Sequence, residues 1–225
     1  MGSDLKNSEK CYLCDSPATT VEHVPARVIF PALKDLQAEM ASAPDLRVGL
    51  ITVPACEKHN NKLSKDDEYA AVAIAMHMKK NSVAVAHWHT KIKRALMRSK
   101  TLGPLFTRGA KHVVVAGEPL VMIALDRSRL ESVMIRNGKG LVHYELGTNA
   151  GVEFTCYLPD LIWPDGSKGP DSDVAAVCTA LDAVEWRGNN PLAFKYQMVQ
   201  LPGLIFRLRF YEAFDAILVQ VLLQA

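Results

Sequence analysis

No part of this chain stays apolar for the roughly 20 residues that a membrane-spanning helix requires, so a spanning role is not expected. The first ten residues, MGSDLKNSEK, lack the apolar stretch of a signal peptide; the expected location is cytoplasmic, with residues 1–8 as a flexible start. A surplus of charge is also missing. The net charge is +2 over 225 residues, so any nucleic-acid surface has to be a local patch rather than a property of the whole chain. Internal repeats and low-complexity tracts are absent. Five cysteines cannot all pair with one another, and a reducing compartment disfavours a disulfide framework. What is present is an ordinary globular composition. Apolar residues make up 49% and charged residues 22%, which leaves enough apolar mass for a core.

The cysteines are unevenly spread. Cys11, Cys14 and Cys56 fall early, whereas Cys156 and Cys178 stand alone and read as buried small apolar residues. The segment 9–64 carries five prolines and little helical periodicity, apart from a short helical or irregular excursion at 28–36. Ser64 reads as a helix N-cap, with Asp66, Asp67 and Glu68 at the positive end of that helix. Asn81 and Ser82 mark a break or a re-cap, and a second helix over 83–100 stops at Gly103-Pro104. Beyond residue 103 the runs HVVVAG and LVMIAL predict paired strands, and 126–142 predicts an amphipathic helix. A strand at 152–157, a loop over 159–173, a short helix at 173–184 and a meander over 194–223 complete the pattern. The expected fold class is α+β, in two parts. Residues 9–102 form a metal-stapled unit with its helices, and 103–225 form an α+β domain with an antiparallel sheet.

Structural zinc wants four ligands, usually as two closely spaced pairs. Cys11-Tyr-Leu-Cys14 is one pair and Cys56-Glu-Lys-His59 is the other, separated by 41 residues. Between them lies Val21-Glu-His-Val-Pro25. In an extended segment Glu22 and His23 project to opposite faces, so one can hold a metal while the other faces a water. A solvated Glu-His pair is the plainer alternative. The run KIKRALMRSK carries Lys91, Arg94 and Arg98 at helical spacing, either as a solvated face or as phosphate contacts. His87, Trp88 and His89 precede it and read as a packed Trp with surface histidines.

Taken together, CYLC, EHVP and CEKHNNKLSKDDEY resemble the HNH endonuclease family, the ββα-metal nucleases with a structural zinc. The resemblance covers residues 11 to about 70; RNGKGLVHYE and LRFYEAFDAI loosely resemble the C-terminal region attached to some bacterial members. It implies an N-terminal ββα-metal unit and specific roles. Cys11, Cys14, Cys56 and His59 would hold structural zinc. His23 would be the general base. Glu22 and Asn60 would hold a catalytic Mg²⁺ or Mn²⁺, and Asn61 would be structural. Two departures stand out: many members carry Cys where His59 sits, and the family's middle Asn is missing, with Thr52 nearest.

The chemistry suits these residue types. A neutral His can take a proton from water near pH 7. A carboxylate and an amide oxygen suit a hard divalent ion, and the amide adds no negative charge against an anionic substrate. The implied activity is hydrolysis of DNA phosphodiester bonds, with RNA as the other substrate, Lys62, Lys91, Arg94 and Arg98 on the nucleic acid, and bacterial defence as a setting by analogy. The competing reading is a zinc-stapled nucleic-acid-binding or interaction module with weak or lost catalysis. The C-terminal domain would provide a homodimer or partner-protein contact.

Overall fold

The computed structural model describes residues 9–77, 80–115, 117–148, 151–161 and 172–222, with the backbone alone for residues 61, 62, 115, 172 and 173. Strand β1, Thr20–His23, leads through a 3-10 turn at Arg27–Ile29 into helix α1, Leu33–Gln37. Strand β2, Thr52–Ala55, returns antiparallel to β1, pairing Thr20 with Ala55 and His23 with Thr52. Helix α2, Glu57–Lys62, and helix α3, Ser64–Ala75, come next, with one residue between them. Every residue of α3 from Tyr69 to Ala75 is buried. A helix apolar on all sides belongs inside the protein, and the small alanines of AAVAIA let neighbours approach from each direction.

Helix α4, Ser82–His87, is capped by the Asn81 side chain, which accepts from the Ala84 N–H at 3.0 Å. It continues through a π turn at Trp88–Ile92 into α5, Lys93–Arg98, so the expected helix over 83–100 is interrupted. Gly103-Pro104 does not end a helix. Both residues lie in α6, Leu102–Thr107, where Pro104 is still in the first turn and its missing N–H costs nothing. Ser64 is likewise not a cap, because Leu63 occupies that position already in helical backbone and α3 simply continues the turn of α2. Strands β3, Lys111–Val115, and β4, Glu118–Met122, form the expected hairpin.

Helix α7, Arg127–Leu146, outruns its expected end at residue 142. Asp126 caps its start by accepting from the Arg129 N–H, and Gly147, at φ +64°, closes its end. Strand β5, Phe154–Tyr157, helix α8, Ser172–Leu181, and strands β6, Arg187–Asn190, β7, Phe194–Gln200, β8, Leu204–Phe210, and β9, Phe214–Gln220, build the C-terminal part. The sheet is antiparallel throughout, in the order β5-β9-β8-β7-β6. Strand β6 had no signal in its polar sequence RGNN, and the expected loop at 159–173 lies mostly outside the described residues.

Along β8, Leu204, Phe206, Leu208 and Phe210 turn inward while Ile205, Arg207 and Arg209 alternate with them. α7 packs on the inward face, and Val174 and Leu181 of α8 pack with Ile217 and Ile205 on the other. The main cluster of buried side chains runs from Cys11 to Leu218 and joins residues on either side of position 102. The protein is thus a mixed helix and sheet fold with an antiparallel sheet in its C-terminal region. Among the described residues no helix is long and apolar enough to cross a membrane.

α7 meets both halves through glycine. A Cβ on Gly138 would collide with the Leu218 side chain, and one on Gly140 would stand 2.6 Å from Val24 Cγ2, just past β1. Gly138→Ala and Gly140→Ala are each expected to destabilise the protein by about 1–3 kcal/mol through overpacking, although alanine favours a helix by up to about 1 kcal/mol over glycine. Denaturant titrations that show either variant more stable than the wild type would refute this packing.

His87 is fully buried, contrary to its reading as a surface residue. Tyr211 donates its hydroxyl proton to the Ile29 carbonyl, so His87 Nδ1–H donates to Tyr211 Oη at 2.8 Å. Burial, with Lys91 and Arg47 adding to it, lowers the imidazole pKa to about 3. The native state therefore refuses a proton that the unfolded chain accepts below pH 6.5. Stability is full above that pH and declines as pH falls from 6.5 toward 3, with a slope approaching about 1.4 kcal/mol per unit from this group. Urea unfolding at pH 7 and pH 5 should show a loss that His87→Gln reduces; equal slopes in both proteins would remove the assignment.

Candidate functional site

Two short-range features bring the four early ligand candidates together. Cys11 and Cys14 sit on a turn closed by Cys11 N–H donating to Ser16 O at 2.9 Å. Cys56 is the residue before α2, and His59 lies in its first turn. Pairing of β1 with β2, helped by Tyr12 N–H donating to Pro54 O, presses the turn onto that helix start. The result is a group of Cys11, Cys14, Cys56 and His59 whose ligand atoms all lie within 4.8 Å of one another.

The spacing has a chemical signature. His59 Nδ1 is 3.4 Å from both Cys11 Sγ and Cys56 Sγ, and Cys14 Sγ is 3.9 Å from Cys56 Sγ. A tetrahedron with Zn–S of about 2.3 Å and Zn–N of about 2.0 Å has edges of about 3.5 Å (S to N) and 3.8 Å (S to S). A disulfide would need about 2.05 Å. Burial first, then Lys58 and Arg136, lowers the His59 pKa and favours the neutral ring whose lone pair can bind a metal. The group can therefore bind a metal such as zinc; burial raises the Cys11 thiol, and the Leu13 N–H pointing at its Sγ from 3.5 Å opposes that shift.

Asn60 comes directly after His59, so whatever fixes His59 also fixes Asn60. Its Nδ2 donates to the Val21 carbonyl at 3.4 Å, which leaves Oδ1 as the atom available to a cation. Glu22, on β1, and Asn60 line one open cleft of about 760 Å³ together with Asp67 of α3. Burial, then the neighbouring Asp67, raises the Glu22 carboxyl to about 7, with Arg136 and the His23 backbone N–H opposing them. Asp67 is itself buried and ion-paired with Arg136 of α7. Burial raises its pKa and the guanidinium pulls the other way. Asp67 therefore does more than favour a helix start, and Asp66 is bound in the same manner, accepting from Arg129 Nε at 2.5 Å. Their partners lie 63 and 69 residues away, so local sequence carried no signal of them.

The same cleft collects cations. Arg27 from the turn after β1, Arg47 from the loop before β2, Lys91 from the π turn and Arg98 from α5 all line it. Arg94 is exposed and does not line it, while the Lys62 and Asn61 side chains lie outside the described residues. Arg27 and Arg47 carried no motif. His23, half-buried on the strand face opposite Glu22, flanks the cleft rather than lining it. Burial, then Arg27 and Arg47, lowers its pKa and keeps the imidazole neutral near pH 7. Thr52, exposed, stands across from His23 in the β1–β2 pairing. Of the other candidates, Trp88 packs partly with Lys80 over its ring, and His89 is exposed near Glu39.

Comparison of the chain with family models, curated proteins and solved structures finds no match in any of the three.

Purified protein is expected to carry one zinc per chain by elemental analysis. Stripping it with a strong chelator, or Cys56→Ala, should lower the melting temperature by roughly 5–15 °C, because metal binding is here part of folding. His59→Cys should retain the metal. Full thermal stability in a demonstrably metal-free sample would eliminate the structural role.

Proposed function

We propose that the chain is a metal-dependent endonuclease of the HNH type, hydrolysing phosphodiester bonds of DNA. The observation that carries this reading is one cleft lined both by Glu22 and Asn60, with Asp67 and Glu68, and by the cations Arg27, Arg47, Lys91 and Arg98. The β1–β2–α2 arrangement with its Cys/His group suits the ββα-metal unit that the sequence resembles. Glu22 Oε and Asn60 Oδ1 would hold a Mg²⁺ or Mn²⁺, which supplies charge relief at the phosphate and the leaving oxygen. Oxygen-only donors and a carboxyl that burial makes eager for a cation fit such an ion.

The chain's own residues do the rest. His23, neutral near pH 7, takes a proton from the attacking water as the new P–O bond forms. The P–O3′ bond breaks with its electron pair going to O3′, which is protonated from solvent. The products are a 5′-phosphate and a 3′-hydroxyl. The zinc group does not touch substrate; it sets the angle between β1, bearing Glu22 and His23, and α2, bearing Asn60. The side chain of Thr52 stands opposite His23, so no amide from β2 orients the imidazole, which favours modest activity.

Supercoiled plasmid incubated with Mg²⁺ or Mn²⁺ should be nicked or linearised, and EDTA should stop the reaction. His23→Ala should reduce the rate by roughly a hundred- to ten-thousand-fold, and Asn60→Ala should raise the Mg²⁺ or Mn²⁺ concentration needed for half-maximal rate. RNA in the same assay tests the substrate class. No cleavage of either polymer with either ion, while binding persists, would sink the hydrolase and leave a zinc-stapled binding module.

A further inference from the structure

We propose that Arg27, Arg47 and Lys91 form a preformed anion subsite that grips the nucleic-acid phosphate adjacent to the one cleaved and works without divalent ion. The inference rests on the reading of the cleft as a nuclease site. Its support is a contrast in how cations are used. Six of the eleven arginines are tied to carboxylates: Arg127 to Glu131, Arg129 to Asp66, Arg136 to Asp67, Arg187 to Glu145, and Arg207 and Arg209 to Asp215. Arg27, Arg47 and Lys91 come from three separate elements, converge on one cleft, and make no ion pair among the described residues.

Bringing like charges together without partners is costly, and two of the three are half-buried. Arg47 and Lys91 each have their pKa lowered by burial first and by a cationic neighbour second, Arg27 for the former and Arg47 for the latter; Asp35 opposes this at both, joined by Asp45 at Arg47 and by Glu68 at Lys91, and the net direction stays downward. A fold keeps such an arrangement where an anion is meant to complete it. Arg47 is also pre-aimed. Its Nε donates to the Phe30 carbonyl at 2.9 Å, which fixes the guanidinium and leaves the terminal nitrogens for a ligand. That fork suits two phosphate oxygens at once. A strand crossing the cleft would place one phosphate at Glu22 and Asn60 and its neighbour on the cations.

The test is binding without chemistry. A labelled single-stranded oligonucleotide is titrated in EDTA by fluorescence anisotropy, between 50 and 200 mM salt. Arg27→Ala with Lys91→Met is expected to weaken binding about ten- to hundredfold and to flatten the salt dependence by about 0.7 in slope for the lost phosphate. Arg47→Lys, which keeps the charge and loses the fork, should weaken it by a smaller factor. Melting temperature and zinc content check that each variant folds. Unchanged affinity and slope in the folded double variant would overturn the subsite, and so would unchanged affinity in Arg27→Ala alone, since that exposed side chain can be removed without disturbing the core. If no cleavage occurs with Mg²⁺ or Mn²⁺ but EDTA binding still depends on these residues, the subsite stands and the nuclease reading falls.

Discussion

The pairing of Arg136 with Asp67 is the contact on which the rest of the arrangement depends. Both side chains are nearly excluded from water, and Tyr12 and Glu22 lie beside them. A charge this deep is tolerated only with its partner, and losing one member leaves the other uncompensated at a cost of about 3–5 kcal/mol. The pair therefore holds α7 to α3 where α3 lines the cleft. Arg129 with Asp66, and the clearance at Gly138 and Gly140, extend the same attachment along the helix. The sheet packs on the other side of α7, and it also reaches the segments that carry Arg47 and Arg27 directly, through Asn189 to the Gly49 carbonyl, Asn190 to the Val48 carbonyl and Tyr211 to the Ile29 carbonyl.

The cleft has a direction. The Cys/His group secures β1 to α2 and so sets Glu22 against Asn60, while the turn after β1 and the loop before β2 bring in Arg27 and Arg47 from the same two strands. Glu22, Arg27 and Arg47 thus reach the cleft from one small hairpin and its connections, while Asp67 and Glu68 join from α3 and Lys91 from the π turn. Burial acts oppositely on the two titratable groups of β1. It raises the Glu22 carboxyl and, with the arginines, lowers the His23 imidazole. Both shifts favour the neutral form.

Much of this was readable in the sequence where the determinants are local. Two Cys/His pairs at ligand spacing, the break or re-cap at Asn81-Ser82, the amphipathic run from 126 and the meander of the final strands each involve neighbours along the chain. The ligand group and most of the elements derive from them. What stayed hidden involves distance. Asp67 looks like a helix-end charge until Arg136 arrives from 69 residues away. Nothing in the isolated surroundings of Arg27 or Arg47 says that they converge. His87 reads as polar surface until Tyr211 supplies its hydrogen bond, and α6 was obscured by a Gly-Pro that a first helical turn accommodates.

The π turn at Trp88–Ile92 has a consequence for descent as well as geometry. It holds one residue more than an α-helix would, so α5 is rotated by about 100° relative to α4. With that extra residue, Lys91, Ala95 and Arg98 continue the inward face begun by Val83 and His87; without it, Arg94 would point inward instead. A single-codon deletion here would exchange which cations line the cleft while keeping a helix over the segment. Helical register, rather than substitution, then decides which charges face the cleft.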